Sequence, residues 1–213
     1  VRLHYPLIVK PVSEGSSKGI TERSVVTDRK SLMRQVEYVA HQYRDRALIE
    51  EFLPGREFTV AMLGNGPDVQ LLPIVEIDFD ALPTGVQPIY GYEAKWLWDT
   101  EQDPLSIFSC PARLDPALQW SIERTCKNAF AALGCRDWCR IDIRLDARGV
   151  PHVIELNPLP GILPRPEQNS CFPKAARAAG LGYDDLILSV VHAAKERLAL
   201  TQESSHARSS LFQ

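Results

Sequence analysis

Residues 140–161 read RIDIRLDARGVPHVIELNPLPG, and this stretch decides the fold. Apolar and polar residues alternate along both halves, which is typical of two strands that each bury one face. Arg148 and Gly149 lie between the halves, where a glycine favours a tight turn. The stretch therefore predicts an antiparallel hairpin. A turn centred on these two residues fixes the register, whereas a bulged turn would shift it by one residue.

The register set by this turn places two acidic side chains opposite each other. Asp142 faces Glu155, and Arg140 faces Asn157. Like charges directly opposite on a sheet are destabilising unless a proton or a cation lies between them. Two carboxylates and one amide oxygen suit a hard ion such as Mg²⁺, with Mn²⁺ as an alternative, and the arginine adds charge for an anionic group. The hairpin alone leaves open an ordinary solvent-facing strand in which Arg144 pairs with Glu155.

The composition is that of a globular chain without a strong overall charge. Of the 213 residues, 45% are hydrophobic, and the formal net charge is −3. Such a chain can form one large domain or two small ones, and its scattered Lys and Arg residues argue against a nucleic-acid-binding protein. The sequence has no long apolar run, and its five cysteines lack the spacing of a disulfide framework. We therefore expect a soluble, cytoplasmic protein that binds neither nucleic acid nor membrane.

The order of the predicted elements indicates two lobes of mixed helix and strand. The predicted strands are 5–10, 23–26, 47–53, 57–63 and 69–77, and the predicted helices are one capped by Asp28 that runs to about Tyr43, one at 116–133 capped by Asp115, and two at 174–179 and 184–198. Pro54 and Gly55 interrupt the pattern, which indicates a boundary. The expected parts are a first lobe at 1–53, a second lobe at 54–200 and a polar tail at 201–213. Because Val1 is not a methionine and lies close to the first strand, we expect a fragment of a longer protein.

A loop rich in serine and glycine follows the first strand. Residues 13–19 read SEGSSKG, which matches neither the P-loop pattern nor the dinucleotide fingerprint. Ser16, Ser17 and the backbone N–H groups of such a loop can nevertheless surround phosphate oxygens, while Lys10 offers a positive charge. The alternative is a plain surface loop, because serine and glycine are common in loops of every kind.

Six segments in a fixed order carry a family resemblance. They are VKP, EGSSKG, IEEFLPGREFTV, YEAKW, RIDIRLD and ELNPLPG. Together, over residues 6–198, they resemble the ATP-grasp part of the D-alanine:D-alanine ligases. The resemblance implies an α+β fold of two lobes with ATP between them, and an ATP-dependent ligase that joins amino acids through an acyl phosphate for peptidoglycan precursors. It also implies a missing amino-terminal domain, and it leaves a homodimer open.

The resemblance also assigns residues to roles. For ATP binding it implies Lys10, Glu14, Gly15, Ser16, Ser17, Glu50, Phe52, Leu53, Glu57 and Lys95. Glu57 matches the ribose-binding acid. Ser16 and Lys95 match residues of the loops that close over the phosphates, and we expect them to act in catalysis. For the metal it implies Asp142, Glu155 and Asn157, and for the amino-acid substrate Arg140, Gly161 and Ser170. Arg140 is also the arginine expected to stabilise the transition state.

Three departures from the family pattern keep other functions open. Trp96 stands where these ligases usually carry a tyrosine, Leu159 replaces a small hydroxylated residue, and the run 162–169 is longer than usual. One alternative is a ligase for other amino acids or small carboxylates in a biosynthetic pathway. Another is a nucleotide-binding module without catalysis, since the amino-terminal domain supplies part of the first amino-acid site in the family.

A pair of cysteines is the remaining motif. Cys135 and Cys139 have C-x₃-C spacing, and His152 follows. A zinc site normally needs a second pair of ligands, which the sequence does not contain. We therefore expect one thiol at a helix end and one at a strand start.

Overall fold

The computed structural model describes residues 2–100, 102 and 105–209, and it describes side chains through residue 199. The strands are β1 Leu7–Pro11, β2 Val25–Val26, β3 Ala47–Glu51, β4 Glu57–Leu63, β5 Gln70–Leu71, β6 Val75–Ile77, β7 Phe108–Ser109, β8 Trp138–Leu145 and β9 Pro151–Asn157. The α-helices are α1 Arg29–Tyr43, α2 Pro116–Ala132, α3 Cys171–Ala178 and α4 Tyr183–Ser209. The chain is therefore α+β, as the sequence predicts. Among the described residues, no helix combines the length and apolar character needed to cross a membrane.

The chain forms two compact units. One comprises Val1–Gly55 and Ile77–Ile107, and the other comprises Arg56–Glu76 and Phe108–Gln213. The first unit thus includes residues 77–107, which the sequence reading placed in the second lobe. Hydrogen bonds explain the grouping, because Tyr92 N–H donates to the Ile20 carbonyl at 2.7 Å. The division into 1–53, 54–200 and 201–213 stays a prediction.

The first unit contains a three-stranded antiparallel sheet in the order β2-β1-β3. Helix α1 packs on it through a small core of Leu7, Val9, Val26 and Val39. The helix begins where Asp28 accepts a hydrogen bond from the Ser31 N–H at 2.8 Å, so the predicted start is confirmed.

The second unit is built around a larger antiparallel sheet. Its strand order among the described residues is β7-β6-β4-β8-β9, and β5 pairs with β4. One face of β4 and β8 packs against α2; the buried residues of this core include Phe58, Val60, Met62, Ile122, Phe130, Ile141 and Ile143. Helix α2 begins at Pro116 behind the Asp115 cap, as its sequence predicts. The polar residues Glu57, Thr59, Asp142 and Arg144 lie on the opposite face of these two strands, and helices α3 and α4 also contact β4.

Several element boundaries differ from those predicted from the sequence. The strand predicted for 69–77 is two short strands, since Pro73 lies between them and has no N–H for a sheet hydrogen bond. Helix α3 begins at Cys171, three residues before the predicted start. Helix α4 continues past Leu198 to Ser209, because helical backbone groups bond to one another whatever the side-chain polarity. Residues 210–213 of the predicted polar tail lie outside the described residues.

Candidate active site

The hairpin register at the predicted acidic pair is confirmed. Asp142 lies opposite Glu155, and Arg140 lies opposite Asn157. Strand β4 lies on the other side of β8 and places Thr59 opposite Asp142. Since directly opposed residues of antiparallel strands share a face, these side chains form one polar surface across three strands.

A β-bulge makes this register possible. Near the turn Ile143 faces Val153, which is one residue out of step with the predicted pairing. The register shifts between Asp142 and Ile143, and beyond that point the predicted pairs are restored. The turn geometry predicted from sequence was therefore wrong by one residue, and the bulge compensates for it.

Arg140 links the two facing acids. Its Nε lies 3.0 Å from Asp142 Oδ1 and its Nη2 lies 2.8 Å from Asp142 Oδ2, and Nη2 also lies 3.6 Å from Glu155 Oε2. Burial is the largest single effect and would lower the pKa of Arg140, but the charges and hydrogen bonds of its neighbours, Asp142 first and also Glu155, together raise the arginine pKa. The cation that offsets the acidic pair in this structure is thus a side chain of the protein, which the sequence argument had not considered.

Thr59 fixes the buried carboxylate of the pair. Asp142 is 8% exposed, and its Oδ1 accepts a 2.6 Å hydrogen bond from the Thr59 hydroxyl. Sequence reasoning missed this threonine, although the alternation of Glu57 and Thr59 along β4 points both to the polar face. The result is a carboxylate held in one orientation before any ligand binds.

Asn157 is the third predicted metal ligand. Its side-chain Nδ2 is buried and has no hydrogen-bond partner among the described residues. The unpartnered Nδ2 is an N–H donor that an acceptor atom of a ligand can satisfy, and the amide oxygen is the atom that can bind a cation. The described residues contain no cluster of three His, Cys, Asp or Glu with metal-binding geometry. Two carboxylates and one amide oxygen still fit Mg²⁺, which completes its shell with water or phosphate oxygens.

Glu57, the predicted ribose-binding acid, forms a buried ion pair. Its Oε2 lies 2.8 Å from Arg144 Nη1, directly across β4 and β8, and both residues are less than 10% exposed. Burial lowers the pKa of Arg144, although the Glu57 charge opposes this change. The alternative in which Arg144 pairs with Glu155 is therefore wrong.

The predicted substrate residues meet at the start of α3. The Ser170 hydroxyl donates to the Gly161 carbonyl at 3.2 Å and accepts from the Leu163 N–H at 3.2 Å. It thereby closes the long 162–169 loop. The next residue, Cys171, interacts electrostatically with Arg140 and contributes to its raised pKa. The structure thus places the start of α3 beside the arginine on the polar face.

In the first unit, two predicted ATP-binding residues pair with each other. Lys10 Nζ lies 2.5 Å from Glu50 Oε2, and the two side chains come from the neighbouring strands β1 and β3. Phe52 follows β3 and its N–H donates to the Pro6 carbonyl at 2.9 Å. Leu53 comes next and is half-buried. The structure therefore brings these four residues to one region of the small sheet.

The serine loop is a folded turn rather than an extended segment. Ser16 and Ser17 have φ of 55° and 61°, and the Lys18 N–H donates to the Gly15 carbonyl at 3.1 Å. At Gly19 an added Cβ would lie 2.5 Å from the Pro11 ring, so only glycine fits there. The left-handed backbone conformation of Ser16 and Ser17 is uncommon for residues other than glycine and indicates a constrained backbone. Glu14 lies near Lys18, with 4.0 Å between Oε2 and Nζ.

A second segment holds this loop in place. The Ser17 hydroxyl donates to the Tyr90 carbonyl at 2.9 Å, and Trp96 Nε1 donates to the Ser16 carbonyl at 3.1 Å. Trp96 and Lys95 belong to a π-helical turn, Ala94–Trp98, a rare form that is frequent at functional sites. The serine loop and the turn that carries Lys95 are thus directly connected. We name these two parts, residues 13–19 and 90–98, the cover.

Comparisons with known proteins agree with the predicted resemblance. A family model described as "D-ala D-ala ligase C-terminus" matches residues 1–192. The chain belongs to this family. Its α+β, ATP-grasp class is also that of the solved structures it resembles.

Two curated members of the family show the extent of the similarity. D-alanine–D-alanine ligase of Bordetella petrii is 39% identical over 190 residues, which are 89% of this chain and 52% of the relative. The Haemophilus influenzae ligase is 38% identical over 190 residues, 89% of this chain and 56% of the relative. The chain thus spans about half the length of the curated relatives it matches.

Solved structures of the family give the same extent. D-alanine–D-alanine ligase from Bacillus anthracis complexed with ATP has a TM-score of 0.62 at 25% identity, over 91% of this chain and 55% of that one. VanG D-Ala:D-Ser ligase from Enterococcus faecalis has a TM-score of 0.65 at 25% identity, over 89% of this chain and 50% of that one. Members with this fold therefore differ in the second amino acid that their names give.

Proposed function

We propose that this family member is the ATP-grasp part of an ATP-dependent D-alanine–D-alanine ligase that acts in peptidoglycan precursor synthesis. The observation that carries the proposal is the polar face of β4, β8 and β9, where Arg140 contacts both acids and Asn157 keeps a buried, unpartnered amide nitrogen. Names of the relatives and the ATP complex of one of them support the same activity. A cytoplasmic location and a homodimer stay predictions.

The proposed reaction proceeds in two steps. The carboxylate of the first amino acid attacks the γ-phosphorus of ATP, which gives an acyl phosphate and ADP. The amine of the second amino acid then attacks the acyl carbon, the C–N bond forms, and phosphate leaves as the amine loses a proton. Both steps develop negative charge on oxygen atoms, which fixed cations and N–H donors stabilise.

The chain's own residues supply these charges. Arg140 is oriented by its two hydrogen bonds to Asp142 and would stabilise the oxyanion at the acyl carbon. Asp142, Glu155 and Asn157 would hold Mg²⁺, whose charge offsets that of the phosphate oxygens. Gly161 and Ser170 would bind the amino-acid substrate next to Arg140. For this, the Ser170 hydroxyl would exchange its bond to the Gly161 carbonyl for a substrate carboxylate.

The first unit and Glu57 would bind the nucleotide. Lys10, Ser16, Ser17 and Lys95 would contact the phosphates, and Glu14 and Gly15 would belong to the same ATP-binding loop. Glu50, Phe52 and Leu53 would border the adenine, and Glu57 would bind the ribose. The buried Arg144 orients Glu57 for this role, because it fixes one carboxylate oxygen at 2.8 Å.

A ligase for another acceptor is the second candidate. Trp96 is 51% exposed within the cover, and the long 162–169 loop is closed by the predicted substrate serine, Ser170. Each feature adjoins a residue with a proposed role at the site: Trp96 adjoins Lys95 in the first unit, and the loop ends at Ser170 in the second. A panel of amino acids in the ligation assay separates the two candidates, since a D-alanine–D-alanine ligase should be fastest with D-alanine in both positions.

The test of the metal role uses Glu155→Gln, with Glu196→Gln on α4 as a matched control. Titration calorimetry with Mg-ATP measures binding by the chain, and ADP formation with D-alanine measures turnover. We expect the Glu155 variant to lose at least tenfold in Mg-ATP affinity and to form no ADP, while its unfolding midpoint and the control stay close to the wild type. Wild-type affinity in the Glu155 variant would contradict the metal role. Mg-ATP binding without ADP formation in the wild-type chain would favour the non-catalytic module.

A further inference from the structure

Three hydrogen bonds from described side chains hold the carboxylate of Asp142. Its Oδ1 accepts from the Thr59 hydroxyl at 2.6 Å and from Arg140 Nε at 3.0 Å, and its Oδ2 accepts from Arg140 Nη2 at 2.8 Å. The two oxygens of a carboxylate offer about four lone-pair sites between them. These donors therefore fill both sites of Oδ1 and one site of Oδ2, so Oδ2 is the oxygen that can bind one further partner.

Thr59 acts on the site through Asp142. The two residues are directly opposed across β4 and β8, and both are buried, with Thr59 only 3% exposed. Branching at Cβ restricts the rotamers of threonine, so its hydroxyl keeps one direction. With this donor on Oδ1, the Asp142 carboxylate cannot turn to present both of its oxygens to one ion. Thr59 is thus a positioning residue, and Asp142 is the group that it positions.

The facing acid, Glu155, is held much less firmly. It is exposed, and its Oε2 lies 3.6 Å from Arg140 Nη2, which is longer than a hydrogen bond. The polar face therefore combines a fixed carboxylate with one that can adapt its position to an ion. Because the fixed carboxylate cannot adapt, it decides which coordination geometry the site accepts.

We propose that Thr59 makes the cation site selective for Mg²⁺ over Ca²⁺, because it limits Asp142 to one coordinating oxygen. The inference rests on the proposed function, in which Asp142, Glu155 and Asn157 hold the ion. Mg²⁺ is small and requires near-octahedral coordination, whereas Ca²⁺ binds more oxygens and accepts both oxygens of one carboxylate. A carboxylate that offers a single oxygen in a fixed direction therefore suits Mg²⁺ and deprives Ca²⁺ of a ligand.

The test compares two substitutions of Thr59. Thr59→Val keeps the branched shape but removes the hydroxyl donor, and Thr59→Ser keeps the donor. Thr125→Val on α2, which packs on the other face of the sheet, is the matched control. Titration calorimetry measures the affinity of each chain for Mg-ATP and for Ca-ATP. We expect the ratio of the two affinities to fall about tenfold in Thr59→Val, the usual size of an effect on a residue that orients a metal ligand. Thr59→Ser and Thr125→Val should keep the wild-type ratio.

The ratio separates selection of the ion from support of the fold. Equal losses for Mg-ATP and Ca-ATP in Thr59→Val, or a ratio that falls as far in Thr59→Ser, would overturn the inference. The wild-type chain gives a test that needs no variant, since equal affinity for the two complexes would also overturn it. Preference for Mg-ATP without ADP formation from D-alanine would contradict the ligase activity alone, whereas a chain that binds neither complex would contradict both proposals.

Discussion

The polar face of β8 and β9 and the cover in the first unit hold their side chains in different ways. On the polar face, charged side chains form ion pairs with one another. Arg140 donates two hydrogen bonds to Asp142, and Arg144 forms a buried ion pair with Glu57. In the cover, side chains bond to backbone carbonyls, as Trp96 does to Ser16. The strand register therefore determines which side chains meet on the polar face, whereas contacts between two loops position the residues of the cover.

Removal of a buried charge on the polar face should have the largest effect. Arg144→Ala leaves Glu57 buried without its ion-pair partner, so we expect the free energy of unfolding to fall by about 3 to 5 kcal/mol. Urea denaturation measures this change. The matched control is Arg148→Ala in the same hairpin, because Arg148 is exposed and its removal should cost less than about 1 kcal/mol. Equal losses of unfolding free energy in both variants would show that the buried ion pair stabilises the fold no more than an exposed one does.

A smaller effect is expected in the cover. Trp96→Phe removes the N–H donor to the Ser16 carbonyl, and a hydrogen bond of this kind contributes about 0.5 to 1.5 kcal/mol. Hydrogen exchange of the Lys18 and Ile20 amides, which bond within the loop, should accelerate about two- to tenfold by the same estimate. Trp120→Phe on α2 is the control and should leave these amides unchanged. Unaltered exchange in the Trp96 variant would mean that the indole does not hold the loop.

The smallest effect is expected in the hairpin turn and is measured as a change of stability between pH 4 and pH 2. The backbone N–H of Val150 is the main cause that lowers the pKa of Asp146 from 3.8 to about 2. A carboxylate with a lowered folded-state pKa stabilises the fold above pH 4, and this contribution is lost as the pH falls towards 2. Asp146→Asn should therefore flatten the dependence of the unfolding free energy on pH between 4 and 2. An unchanged acid dependence in that variant would contradict the assignment.

Strand periodicity made the polar face predictable. Alternation predicted which residues share a face, the assumed turn centre placed Asp142 opposite Glu155, and the family resemblance implied a metal-binding role that stays a proposal. Strand periodicity did not reveal the bulge, because an extra residue in one strand depends on how the turn closes. Nor did it reveal that Arg144 pairs with Glu57, because that contact joins residues 87 positions apart and requires the order of the strands. A sequence pattern predicts on which face of a strand a residue lies, but it does not predict which residue of a distant strand that residue contacts.

Contacts between two distant parts of the sequence made the cover harder to predict. The sequence indicated a flexible serine loop, whereas the structure shows left-handed serines fixed by Tyr90 and Trp96. Those partners lie more than 70 residues away in the sequence, beyond the reach of any short pattern. The π-helical turn that carries Lys95 has no signature in hydrophobic periodicity. The helices with clear caps at Asp28 and Asp115 were predicted correctly for the opposite reason, since their signals are local.

The most direct test of the central claim is to locate the bound ion on the polar face. Mn²⁺ broadens the nuclear magnetic resonance signals of amides close to it, so spectra of the ¹⁵N-labelled chain with Mn-ATP can be compared with spectra with Mg-ATP. We predict that the amide signals of Asp142, Glu155 and Asn157 are present with Mg-ATP and disappear with Mn-ATP, while the amide signals of α4 remain in both spectra. Broadening confined to other residues, with these three signals intact, would contradict the account.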